Sequence, residues 1–175
     1  ASTIWLRQLG PDHPNIVISY NQIGSIHVIR EEYEKAQVFF QKSLDLGLKH
    51  SSNSNAQVAD SYNNLGYLYS GIGDYSKALD FFQKSLAIDL KNFGPDNLKV
   101  AAVYCNIGNV YLGMREDIKA MEYYHKALKI RIKHLGPMNL LVAEIYHNIA
   151  SASLMEDPSD FSKNTALSFL HLSEK

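Results

Sequence analysis

The sequence predicts an all-α protein, an α-solenoid of antiparallel helix hairpins in a single array. Three observations carry that expectation. Tyr20, Tyr62, Tyr104 and Tyr146 stand 42 residues apart, and Gly24, Gly66, Gly108 and Ala150 keep the same step. A fixed period of about 20–50 residues is what stacked repeats leave in a sequence. Gly-Pro pairs punctuate the period at Gly10-Pro11, Gly94-Pro95 and Gly136-Pro137. Between them, apolar residues fall at helical spacing, as in Ala78, Leu79, Phe82, Leu86 and Leu90.

Composition narrows the class. The 175 residues are 46% hydrophobic and 20% charged, which describes a folded chain and not a disordered one. A net charge of −1 supplies no field to recruit nucleic acid or anionic lipid, so neither nucleic acid nor a membrane is expected as a partner. One cysteine cannot form an internal disulfide, which allows a reducing compartment. No apolar run approaches the ~20 residues of a membrane span, and Ala1-Ser2-Thr3 opens no signal peptide. The expected location is cytoplasmic, with the nucleus as the other compartment these features admit.

The array is expected to span 1–175, with repeats at about 10–51, 52–93, 94–135 and 136–175. Residues 1–9 read as the tail of a preceding helix, because Ile4 and Leu6 match Ile88 and Leu90, and Ile130 and Ile132. Trp5 falls where later copies carry Gly47, Asp89 and Arg131, read as an outward position. There it either packs loosely against an incomplete repeat or meets a partner.

First helices are expected near 14–29, 55–71, 97–113 and 139–155, and second helices near 32–49, 74–92, 116–134 and 160–174. In Leu9-Gly10-Pro11-Asp12-His13-Pro14 and its copies, Gly ends a helix in the left-handed conformation and Pro blocks continuation. Asp12, Asn97 and Asn139 are placed to cap the next helix, and Pro14 suits a first turn. Gly73-Asp74 supplies a turn and an N-cap inside its repeat. His50-Ser51-Ser52-Asn53-Ser54-Asn55 lacks Gly-Pro and, after Gly47, reads as a soft joint.

A glycine inside a helix costs about 1 kcal/mol against alanine, so Gly24, Gly66 and Gly108 need a reason. Ala36, Ala78 and Ala120 follow them by twelve residues, and small residues facing each other would let antiparallel helices approach closely. On that reading Gly66→Ala is nearly neutral, since Ala150 stands at the same position. From Ala150 to Ala166 the step is 16 residues, with Glu156-Asp157-Pro158-Ser159 as an insertion that lengthens the turn.

Tyr62, Leu65, Gly66, Tyr69, Ala78, Phe82 and Ser85 resemble the tetratricopeptide-repeat pattern of Trp/Tyr, Leu, Gly, Tyr, Ala, Phe and Ala. The 42-residue period and the Gly-Pro-Asp-His-Pro connector are similar to those of kinesin light chain-type repeats. The resemblance covers nearly all of 9–175 and implies a right-handed superhelix whose first helices line a concave, peptide-binding wall. Carried over, the groove positions are Ile18, Asn21, Gln22 and Ser25, then Asp60, Asn63, Asn64 and Tyr67. Ala102, Cys105, Asn106 and Asn109 follow, and Glu144, His147, Asn148 and Ser151 close the series. Asparagine amides both donate and accept, so a ladder of them suits an extended peptide backbone. The alternative is that some of these amides only cap helices or bridge neighbouring ones.

Lys and Arg are absent from these positions while Asp60 and Glu144 are present. Family ligands held by basic residues, chaperone carboxylates or acidic peptides, therefore fit poorly, and the expected partner is a neutral or basic peptide or protein segment. Self-association through exposed array ends is a further expectation. Cys105 and His147 occupy equivalent positions on successive first helices, where a thiol–imidazole pair could serve as nucleophile or metal ligand. No third orienting group accompanies it, and neither catalysis, a cofactor nor a metal is expected. Lys126, Lys129 and Lys133 read as a solvated face, with Arg131 off it, and the pairs Phe39-Phe40, Phe81-Phe82 and Tyr123-Tyr124 as repeat core. The expected function is an interaction scaffold. The alternatives are a regulatory or sensor module controlling an effector domain outside this chain, and a kinesin light chain-like cargo adaptor.

Overall fold

A computed structural model describes residues 15–50 and 56–153. Expectations placed on residues 1–14, on the 51–55 loop and on 154–175 lie outside them, including those for Trp5, the first connector, the insertion at 156–159, Ala166 and the helix at 160–174. The described residues form seven α-helices and no strand. They are α1 (Asn15–Ile29), α2 (Tyr33–His50), α3 (Ala56–Gly71), α4 (Tyr75–Phe93), α5 (Leu98–Gly113), α6 (Asp117–Leu135) and α7 (Leu140–Ser153). Each begins within a residue or two of its expected start.

The punctuation works through backbone geometry. Gly73 takes φ 82° in the α3–α4 turn, and the side chain of Asp74 accepts from Lys77 N at 3.2 Å. The equivalent turn positions are Glu31 and Arg115, which hold φ 60° and 62° at a cost that glycine avoids. Gly94 and Gly136 combine φ 77° and 79° with ψ 174° and 160°. That is the extended glycine region and not the left-handed helical one, so each chain turns out of its helix sharply. Asn97 and Asn139 cap as expected, accepting from Lys99 N at 2.8 Å and Leu141 N at 2.9 Å.

Helices pair as hairpins, α1–α2, α3–α4 and α5–α6, and each hairpin packs on the next through α2–α3, α4–α5 and α6–α7. The first helices also touch in series, α1 to α3 to α5 to α7, making one continuous wall. The signature glycines have a different partner from the one expected. A Cβ on Gly66 would lie 2.7 Å from the Phe82 ring, one on Gly108 2.6 Å from the Tyr124 ring, and Gly24 presses on Phe40 in the same way. Ala36, Ala78 and Ala120 are fully buried, but the glycines face the rings instead. An aromatic ring needs more room than a methyl group, so alanine at Gly66 is not neutral. Burying each ring is worth about 1.5–3 kcal/mol.

The register of Gly47, Asp89 and Arg131 is also corrected: all three are buried, not outward. This face of the second helices meets the following first helix, as a Cβ on Gly47 would meet Val58 at 3.0 Å. The aromatic pairs are structural, as expected. Phe40, Phe82 and Tyr124 fill the core, while Tyr62 and Tyr69 stack on Phe81 at 6.1 and 5.5 Å.

Candidate binding groove

Positions 18, 21, 22 and 25 share one helix face, because residues three and four apart stack on an α-helix. The 42-residue step repeats that face on α3, α5 and α7. Ile18, Gln22, Asp60, Tyr67, Ala102, Asn109, Glu144 and His147 are exposed there, Tyr67 at 59%. Asn21, Ser25, Asn63, Asn64, Asn106, Asn148 and Ser151 are half-buried. Cys105 departs from the series, since it is buried in the core of its repeat.

Several amides bridge neighbouring first helices. Asn106 Nδ2 donates to Asn63 Oδ1 at 3.0 Å, joining α5 to α3. Asn148 Nδ2 donates to Asn109 Oδ1 at 3.3 Å, an oxygen that also accepts from the Tyr124 hydroxyl at 2.7 Å. Ser25 and Ser151 turn inward, each donating to a backbone carbonyl of its own helix, at 3.0 and 2.9 Å. Part of the asparagine ladder therefore ties repeats together.

The α1–α3 junction is arranged differently. Asn21 Nδ2 donates to Ser61 Oγ at 3.1 Å, and its buried Oδ1 has no hydrogen-bond partner. Ser61 is itself fully buried and bonded to Ser43 and to the Gln57 carbonyl. Asn21 and Asn64 line an open pocket of ≈580 Å3 with Ile18, Gln22, Ser25, Ile26, Gln57 and Asp60. Ile18 and Ile26 give this pocket apolar wall, and Gln22, Asn64 and Asp60 give it polar edges.

The acidic groove positions are paired. Asp60 Oδ1 lies 2.8 Å from Lys99 Nζ, and Glu144 lies 3.4 Å from the Arg131 guanidinium, which also donates to the Leu141 carbonyl at 2.8 Å. Sequence reasoning saw the acids without their partners, which come from the next first helix and from the preceding second helix. It also missed Asp89, whose burial pushes its carboxyl pKa up, with Lys99 pulling it down and Asp60 pushing it up. The available signal was the change from Gly47 to Asp89 to Arg131 at one register position.

Cys105 and His147 are not brought together. The thiol is buried and the imidazole exposed, and no hydrogen bond joins them. Burial pushes the Cys105 pKa up to about 11, so at neutral pH it carries no thiolate. Lys126, Lys129 and Lys133 are exposed: Lys126 sits 4.6 Å from the Tyr123 ring centroid, and Lys133 pairs with Asp96. Among the described residues no group of His, Cys, Asp and Glu is placed to hold a metal, and no helix is long and apolar enough to cross a membrane.

Comparison with known proteins fixes the family. Two tetratricopeptide-repeat profiles match, one over residues 57–133 and one over 17–46. The chain belongs to the tetratricopeptide-repeat family, whose members are interaction scaffolds that bind peptides or proteins. BtubC (BKLC) from P. vanneervenii has a similar fold, with a TM-score of 0.78 and 22% identity over 88% of this chain and 61% of that one. A Podosopora anserina putative kinesin light chain with nearly identical TPR-like repeats superposes with a TM-score of 0.72 at 15% identity, covering 93% of this chain and 77% of that one. The N-terminal domain of stress-induced protein-1 (STI-1) from C. elegans gives 0.55 at 18% identity, over 77% and 95%. These likenesses show the fold. The chain spans about three-fifths of the length of BtubC. No curated protein matches it by sequence.

Proposed function

We propose that this chain is a protein-interaction scaffold that holds an extended peptide segment along its first helices, with the principal backbone contacts at the α1–α3 junction. One observation carries this reading: an open pocket of ≈580 Å3 lined by Asn21 and Asn64, at the junction where the asparagine pair is not closed on itself as Asn106 and Asn63 are. The Asn64 side-chain amide both donates and accepts, and those are the two groups that an extended peptide backbone needs. Ile18 and Ile26, both about half exposed, offer contact to an apolar ligand side chain. Asn63, Asn106, Asn109 and Asn148 support the wall instead of binding, because their amides already bond to one another.

The reading is tested with peptides selected against the whole chain from a random display library. Affinity and melting are then measured for the parent and for Asn64→Ala. A lost hydrogen bond to a neutral group is worth about 0.5–1.5 kcal/mol, so affinity is expected to fall roughly 2- to 13-fold with melting unchanged. Peptides that bind the variant as tightly as the parent would remove the α1–α3 pocket from consideration.

A further inference from the structure

Asp89, on α4, is 3% exposed, and its Oδ1 has no hydrogen-bond partner. Its charged neighbours are residues of the groove wall, Lys99 on α5 and Asp60 on α3. Lys99 Nζ is held by Asp60 at 2.8 Å, so two carboxylates share one ammonium and the outer one has it. One repeat on, the register position of Asp89 is Arg131. Its guanidinium reaches the Leu141 carbonyl at 2.8 Å and approaches Glu144 at 3.4 Å. At the α6–α7 junction the space between the second helix and the following first helix thus holds a guanidinium and gives it a backbone carbonyl and a carboxylate. At the α4–α5 junction the chain places an acid at that register position in place of the base.

We propose that the junction of α3, α4 and α5 is a subsite for a basic side chain of the bound peptide, with Asp89 and Asp60 as its anionic receptors. This rests on the groove reading above and adds the ligand's chemistry to it. An incoming guanidinium or ammonium supplies the partner that Asp89 lacks. Lys99, 43% exposed on a flexible stem, moves aside into solvent. Asp89 is already out of water in the folded chain, so binding adds the desolvation of the ligand cation and the loss of the Asp60–Lys99 contact. A hydrogen bond to a charged group is about twice as strong as a neutral one.

The probe is an acetylated, amidated hexapeptide of alternating alanine and arginine, beside the same peptide with citrulline for arginine, which keeps the shape without the charge. Both are titrated into the isotope-labelled 175-residue chain, read by amide and carboxyl NMR shifts. The arginine peptide is expected to shift the Asp89 and Asp60 carboxyl signals, and to bind at least about tenfold more weakly to Asp89→Asn, while Asp80→Asn, at an exposed site away from the groove, leaves affinity unchanged. If both peptides shift the first-helix amides equally and Asp89→Asn changes nothing, the basic subsite is wrong and groove binding stands. If neither peptide shifts any first-helix amide, this probe overturns the subsite and counts against the groove reading too. Amide shifts in Asp89→Asn without peptide show whether that variant keeps its fold.

Discussion

At the junction of α1 with α3 and at the junction of α3 with α5, the same two residue types stand in the same two places. Asn21 corresponds to Asn63, and Asn64 to Asn106, by the 42-residue step. At the second junction the pair closes, Asn106 donating to Asn63 at 3.0 Å. At the first, Asn21 turns its donor to Ser61 and leaves its acceptor unpaired. Ser61 is the physical reason, since the equivalent residue is Val103, which offers no hydrogen-bonding oxygen. One buried hydroxyl decides whether an asparagine pair is structure or a candidate receptor. The third junction has no such pair, since Cys105 replaces the acceptor and Asn148 reaches Asn109 instead.

The contrast requires that the hairpins themselves be alike, and overpacking them tests this with the largest effect. Gly66→Leu is expected to destabilise by about 3 kcal/mol or more, and Gly24→Leu by a similar amount. For Gly66→Ala, a propensity gain of about 1 kcal/mol meets a crowding cost of about 1–3, so a net loss near 1 is expected. Chemical denaturation of the three variants measures this. Unequal losses at Gly24 and Gly66 would put the difference inside the hairpins and not at their junctions.

The buried charges sharpen the comparison next. Arg131→Met should lose about 1.5–3 kcal/mol, because it leaves the Leu141 carbonyl without its charged donor. Asp89→Asn should do the opposite near neutral pH, gaining about 1 kcal/mol by removing an unpaired buried charge. The sign follows from linkage. The folded pKa of Asp89 is raised above the ordinary value of 3.8, so the folded state binds the proton more tightly and stability falls as pH rises from that value through the folded one. The gain from Asp89→Asn is therefore expected to vanish at acid pH. A gain independent of pH would mean that charge is not its cause.

Smaller effects separate the two asparagine pairs directly. Ser61→Val removes a buried hydroxyl that Asn21 and Ser43 meet, so it is expected to cost about 1–3 kcal/mol of stability. Its signature is in the side-chain amide signals, where Asn21 and Asn64 should come to resemble Asn63 and Asn106. Asn106→Ala should cost about 0.5–1.5 kcal/mol of stability, while Asn64→Ala should leave melting unchanged and act on binding alone. Equal melting losses in the two would make both pairs structural.

The period, the helix boundaries and the caps were legible because they depend on local chemistry. Gly73, Gly94 and Gly136 take positive φ, and Asn97 and Asn139 cap, whatever lies across the core. Family membership was legible for the same reason, since Tyr62, Leu65, Gly66, Ala78 and Phe82 recur with fixed spacing. What faces what was not. Sequence spacing pairs the glycines with alanines, whereas in the fold they admit the Phe40, Phe82 and Tyr124 rings. Asp60 and Glu144 stand in the sequence as bare acids, whereas in the fold each has a cation brought from another helix. By itself the sequence determined an all-α repeat array and the faces its helices present, because a 42-residue period and a 3.6-residue turn are properties of the chain alone. Only the tertiary structure decided which amides are closed and which open, and where charge is left unpaired. Those outcomes depend on partners about 40 residues away, as with Asn21 and Ser61, whose approach is fixed by the packing of one hairpin on the next.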